Sequence, residues 1–440
     1  MRGSGWNAGT AISVLISNSP HHGGQPCPAR LSSLKPAEYD GYFDEITQAM
    51  ATPEFRHDPY SLYARMRRED PVYRSSGGIW YLTRYVDVEA ALHDPRLSSD
   101  RDRMSRGFAA QQGALERSSR VGLRLGRNML TADPPDHSRL RKLVNKAFTA
   151  RRVQGLRPRV EAIVAELLDA AVAAGPTMGL MAALAYPLPI TVICELLGVP
   201  PSDRGCVRAW SRHFMDQTTP DLTPEGLERV EQAMDQFDGY LADLVHRRRV
   251  EPGDDLVSAQ ERGGQLTDDE LLSTCFLLLV AGHETTINLI GNGTLALLRH
   301  PHQLDRLRQS PALTRSAVEE LLRYDSPAQM AGRIAAGQVE VGGQTLREGD
   351  PVFPVLGAAN HDPDRFHDPD QLDLARPDNR HLSFGNGPHF CIGAPLARLE
   401  GEVAIGALVR RLPMLRLDTD AIEWRANPLV RGLECLPVAY

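Results

Sequence analysis

One cysteine of the six in this 440-residue chain stands where its thiol could do chemistry. Cys391 lies in the run Phe384-Gly385-Asn386-Gly387-Pro388-His389-Phe390-Cys391-Ile392-Gly393-Ala394. Glycines let a backbone turn tightly enough to aim N–H groups at a sulfur. A helix opening near Ala394 would add its positive N-terminal end, which favours the thiolate. A thiolate shielded from water and fed by backbone donors suits a metal ligand. A buried free cysteine is the commoner fate of the residue, and Cys194, Cys206, Cys275 and Cys435 fit that bland description.

A second constellation lies inside an apolar helix. Thr267-Asp268-Asp269-Glu270 has the form of a capping box, and the apolar pattern behind it continues to about His300. In its middle stands Ala281-Gly282-His283-Glu284-Thr285-Thr286, directly after Leu277–Val280. A carboxylate and two hydroxyls are costly to bury there, so the pattern predicts a use for them. Gly282 would leave room for a ligand against the backbone. Thr285 could bond back to a carbonyl one turn earlier and locally widen the helix. A third signal is Glu320-Leu321-Leu322-Arg323, an acid and an arginine on one helix face. Many charged helices carry such a pair, so it gains meaning only beside the cysteine about 70 residues later.

These three features together resemble the cytochrome P450 family. The cysteine run is similar to the family's haem-ligating loop, F-G-x-G-x-x-x-C-x-G, in which Cys391 would be the iron ligand and Phe384 and Gly385 would line the cofactor. The anionic sulfur would push electron density into iron and favour O–O cleavage. The resemblance makes Glu284 and Thr285 the catalytic acid–alcohol pair that relays protons to the oxygen site, with Glu284 on the solvent side and Ala281 against the cofactor. His283 and Thr286 are expected to be structural. Glu320 and Arg323 would form a buried ion pair completed by Arg376, bracing the cysteine loop. His137 and Arg141, one turn apart, with Arg333 and His389, match the family's ligands for the two haem propionates. The cofactor implied is haem b, iron protoporphyrin IX.

The elements that must position these residues are mostly helical. Helical pattern dominates from about 85 to 325, broken at Pro-Pro (134–135, 200–201), Gly-Pro (175–176) and Thr-Pro (219–220, 223–224). The uncharged stretch Ala170–Cys194 reads as a buried helix–strand–helix passage, because Gly175-Pro176, Pro187 and Pro189 interrupt it. Short strands are predicted at Val72–Arg74, Trp80–Thr83, Arg333–Ala336 and Val339–Val341, then a helix over Ala394–Leu412 and a β-like tail. The expected fold class is mainly α with a small β lobe, a P450-like single domain over 41–440. Residues 1–40, rich in Gly, Ser, Pro and His, read as a flexible leader. Their apolar run Ala11–Ser17 has no clear small-residue cleavage site, so no signal peptide is expected.

Bulk properties narrow the partners. Apolar residues at 42% and charged residues at 24% are ordinary globular values, and a net charge of −7 disfavours nucleic acid. The scattered cysteines form neither a disulfide framework nor a zinc site and suit the cytoplasm. No membrane span is expected, and a monomer is. Only three lysines occur, and Lys142 and Lys146 lie with Arg139 on the helix face opposite His137 and Arg141. That face is either a solvated helix surface or a docking patch for an acidic electron donor. No flavin or iron–sulfur extension follows Tyr440, so the resemblance implies a separate ferredoxin and ferredoxin reductase drawing on NAD(P)H.

The wording Ala281–Asn292 is similar to members that oxidise macrolides and other polyketides. The expected reaction is hydroxylation or epoxidation of a hydrophobic small molecule, of the secondary-metabolite class, with O2. The alternatives are oxidative ring coupling, peroxygenation or a non-catalytic haem sensor. The pocket would draw on Ser98–Arg127, Trp210–Pro224, Leu278, Ala281, Ala328, Gln329 and Met330, with Asp216–Leu222 as a mobile lid.

Overall fold

Side-chain caps and prolines set the helix ends. The computed structural model describes residues 44–104, 128–217, 222–419 and 421–440. The expected leader at 1–40 lies outside them, as does most of the pocket segment 98–127. Thr52 accepts from the Phe55 N–H to open α1 (Pro53–His57). There follow α2 (Tyr85–His93), α3 (Asp136–Asn145) and α4 (Arg157–Ala174). Beyond them come α5 (Pro187–Leu197), α6 (Arg204–Asp216) and α7 (Pro224–Val250), the last capped by Thr223. The longest helix, α8 (Asp268–Arg299), opens on a full capping box, with Thr267 and Glu270 each accepting from the other's N–H at 3.2 and 3.0 Å. Two later helices flank the cysteine run, α9 (Thr314–Tyr324) before it and α10 (Ala394–Arg411) after it.

The strands are short. β1 (Val72–Arg74), β2 (Trp80–Leu82) and β3 (Leu97–Ser98) come first, then β4 (Thr177–Gly179), β5 (Arg333–Ala335), β6 (Val339–Val341), β7 (Gln344–Leu346), β8 (Pro351–Pro354), β9 (Arg416–Leu417) and β10 (Pro437–Ala439). One sheet has the order β1-β2-β8-β5-β3, with β2 and β8 parallel and the other pairs antiparallel. β4, β10 and β9 form a second sheet, and β6–β7 a hairpin. The passage from residue 170 to 194 is helix, strand and helix, with one π-helical turn at Met181–Ala185 between β4 and α5.

The main core gathers the inward faces of α4, α5, α7, α8 and α10. By length and hydropathy α8 could cross a membrane, but 83% of its most apolar window is buried inside the fold. It is therefore a central packing helix, apolar on every side because it has neighbours on every side.

Candidate active site

The cysteine run folds into a tight loop between Leu382 and α10. Gly385 and Gly387 take positive φ of 68° and 69°. At Gly387 a side chain is also excluded sterically, because a Cβ there would stand 2.5 Å from the Leu92 carbonyl oxygen at the end of α2. The Cys391 N–H donates to the Phe384 carbonyl at 2.9 Å, which closes the loop. Burial pushes the Cys391 thiol up, while the N–H groups of Gly393 and Ala394 and the charges of Arg141 and Arg398 pull it back down. The sulfur thus sits at the N-terminus of α10 with the backbone donors a thiolate needs.

Two ion-pair networks hold this loop. In the deeper one, Glu320 and Arg323 are fully buried, paired at 2.8 and 2.9 Å. Arg376 Nε stands 3.0 Å from Glu320 Oε1, and Asn379 Nδ2 donates to Oε2 at 3.0 Å. Arg323 spends its remaining donors on the carbonyls of Asn360, Pro369 and Gln371. The second network was not legible in the sequence. Glu319 on α9 accepts from Arg398 on α10 at 2.6 Å and stands 3.2 Å from His381 Nε2, so it joins both flanks of the loop. Arg398 also lies over the Phe384 ring, 4.5 Å from its centroid.

Burial alone would raise the Glu319 carboxyl, but His381 and Arg398 outweigh it and hold the group near 2, against an ordinary 4.5. A depressed acid contributes stability that is complete above its ordinary value and is lost as pH falls through the folded value. Acid is therefore expected to weaken the loop between about pH 4.5 and 2, by roughly 3 kcal/mol for this group. Unfolding midpoints measured across that window should flatten in Glu319→Gln. An equal acid slope in the variant would show that other carboxylates carry it.

Four cationic or titratable side chains converge beside the cysteine. The His137 and His389 rings are 4.2 Å apart, Arg141 donates to the Phe390 carbonyl, and Arg333 on β5 is buried. Burial, Arg333, His137 and Arg141 drive His389 down to about 3. Among the described residues, both His137 ring nitrogens are buried without a protein partner. A cluster with surplus positive charge and orphaned donors fits an anionic group such as a propionate. Ser99 Oγ, 3.1 Å from His389 Nε2, is a neighbour that spacing alone could not reveal.

On α8, Ala281 is exposed and Thr285 half-buried, whereas most of their helical neighbours are buried. An exposed alanine one turn from a half-buried threonine on a central helix marks a space inside the fold, and this is the second observation that fits a flat cofactor. The Thr285 hydroxyl reaches the Ala281 carbonyl at 3.4 Å, a long bond, and the helix continues through it without widening. Gly282 serves packing and not a ligand: a Cβ there would meet Ile193 of α5 at 2.9 Å. His283 is fully buried against the Leu279 carbonyl. Glu284 does not face solvent either. It is 4% exposed, takes a 2.7 Å bond from Arg425 Nη1 and stands 3.5 Å from His283 Nε2.

The pocket candidates divide. Ala281, Ala328 and Met330 keep exposure, but Leu278 is buried in the main core. Gln329 is turned aside, its amide donating to the Ser326 carbonyl at 2.7 Å, with its oxygen against Gly357. The expected lid at 216–222 lies largely outside the described residues.

Comparison with known proteins agrees with this geometry. The family described as Cytochrome P450 matches residues 211–423. Cytochrome P450 107B1 of Saccharopolyspora erythraea is 47% identical over 395 residues, 87% of this chain and 95% of that protein. Cytochrome P450 monooxygenase PikC of Streptomyces venezuelae is 44% identical over 400 residues, 88% of this chain and 92% of that one. Among solved structures, P450BioI in complex with a hexadec-9Z-enoic acid ligated acyl carrier protein superposes with a TM-score of 0.81 at 38% identity, covering 89% of this chain and 100% of that one.

Proposed function

The chain belongs to the cytochrome P450 family and is a haem-thiolate monooxygenase; from that premise we propose that it oxidises a hydrophobic secondary metabolite of polyketide type, with electrons from a separate ferredoxin. The observation that carries the reading is the Cys391 loop, its sulfur at the opening of α10 among backbone donors, beside an orphaned cationic cluster. Haem, when bound, supplies the redox-active iron at which dioxygen is activated. Cys391 would ligate it, and His137, Arg141, Arg333 and His389 would hold its propionates. Thr285 and Glu284 would carry protons to the oxygen side, and Ala281, Ala328 and Met330 would face the substrate.

Polyketide chemistry is supported by the relatives. PikC is named a monooxygenase, another at 43% identity is the polyketide biosynthesis cytochrome P450 of Bacillus subtilis, and a third at 45% is a 6-deoxyerythronolide B hydroxylase. The test is turnover of macrolactones under isotopically labelled dioxygen. One labelled oxygen atom per product molecule is expected, and unlabelled product would overturn the reading.

The docking patch is smaller than the sequence suggests. Arg139 is engaged by Glu270, which leaves Lys142 and Lys146 exposed on that side of α3. Charge reversal at both lysines is expected to slow reduction by a ferredoxin about tenfold at low salt, less at high salt. Stopped-flow reduction would measure it, and an unchanged rate would remove this face from consideration.

A further inference from the structure

The acid of the α8 pair is sealed from bulk solvent, which raises the question of where its protons come from. Glu284 and Arg425 are paired at 2.7 Å with both side chains buried. Arg425 sits between two spaces. On one side is Glu284; on the other it lines a cavity of about 20 Å³ together with Pro59, Gln329, Trp424 and Arg431. That volume holds about one water molecule. Among the described residues, Gln329 Oε1 and Trp424 Nε1 belong to residues that line this cavity and are buried without a protein partner. Arg56 and Trp424 line this cavity and also a groove of about 520 Å³, whose other walls include Pro53, His57 and Glu423. Arg425 thus touches the small cavity and, through its ion pair, Glu284 on α8.

We propose that Arg425 is a positioning residue for proton delivery, tying Glu284 to water that enters between α1 and the 422–431 segment. The proposal rests on the reading of Glu284 and Thr285 as the relay. Each proton that Glu284 passes toward the Thr285 hydroxyl is replaced by one from bulk solvent, relayed through water in the cavity so that no hydroxide is left behind; the hydroxyl passes on its own proton, and Arg425 keeps its charge throughout. The electrostatics agree. Burial would raise the Glu284 carboxyl, yet His283 and Arg425 hold it near 2, so the resting acid is ionised. The other charged or titratable groups near the pair are Tyr186, Glu434, Arg212 and Asp216. Of these, Glu434 is already paired with Arg212 at 2.8 Å.

The test compares Arg425→Met, Arg425→Lys and Glu284→Gln in the haem-loaded protein. Infrared titration follows the protonated carboxyl of Glu284, identified by its loss in Glu284→Gln. In Arg425→Met the midpoint of that signal should rise, since only His283 then opposes burial, and product formed per electron should fall at least about tenfold as peroxide rises. Arg425→Lys should keep Glu284 ionised yet lose part of the product yield, because the shorter side chain withdraws from the cavity. An unmoved carboxyl signal, or an unchanged product yield in both variants, overturns the proposal. If Arg425→Met does not retain haem, an unchanged yield in Arg425→Lys overturns it alone. Full product yield in Glu284→Gln would instead overturn the relay reading on which it rests.

Discussion

Cys391→His is expected to abolish oxygen insertion while leaving the chain folded. In the intact protein, the reduced and carbon-monoxide-bound form should show the red-shifted Soret band of a thiolate ligand, and the variant should lose it. Imidazole is neutral, so it cannot supply the electron density that favours O–O cleavage. It also deprives the Gly393 and Ala394 N–H groups of the acceptor at which they point. The loss in kcat/KM should be at least about 10²–10³-fold, as when one central electrostatic group is removed from an active site. The measurement separates two roles. A normal band in the variant would show that another residue ligates iron and would sink the assignment of Cys391.

The second large effect is structural. Arg323→Met takes the bidentate partner from Glu320, which is fully buried on α9 and is left to Arg376 and Asn379. Breaking a buried ion pair from one side costs about 3–5 kcal/mol, because the remaining charge has no water to turn to. The cost is compounded at Arg323, whose guanidinium also satisfies the carbonyls of Asn360, Pro369 and Gln371. Arg376→Met should cost less, since Arg323 and Asn379 still hold Glu320. Chemical unfolding of the haem-loaded forms would rank the two. Because these residues brace the loop that precedes Cys391, haem loss should accompany unfolding in Arg323→Met. Equal stability of the two variants would mean that the carbonyl contacts of Arg323 add nothing beyond the ion pair.

What the sequence disclosed was local. The Thr267–Glu270 box, the three glycines around Cys391 and the four-residue spacing of His137 and Arg141 are patterns within one turn or loop, where residue type and spacing determine geometry directly. Arg376 was found across 56 positions only because a family pattern supplied the link. The partners that went unseen are joined by tertiary packing. Arg425 is 141 residues from Glu284, in an irregular segment with no periodicity to read. Glu319, adjacent to the recognised Glu320, looked like one more charge on a helix, and its role depends on His381 and Arg398 arriving from either side of a loop. Gly282 was assigned to the wrong neighbour for the same reason: whether a small residue admits a ligand or another helix is decided by what packs there, and Ile193 does.

The burial of α8 has a consequence for how the chain is made. Asp268–Arg299 is as apolar as a membrane-crossing segment and is hidden by neighbours from both sides of it in the chain, α5, α6 and α7 before it and α9 and α10 after it. During synthesis α8 emerges more than ninety residues ahead of α10. For that interval the nascent protein displays a segment that membrane-insertion machinery and aggregation both favour. The burial that completes α8 in the finished protein thus favours fast closure, or a chaperone, during synthesis.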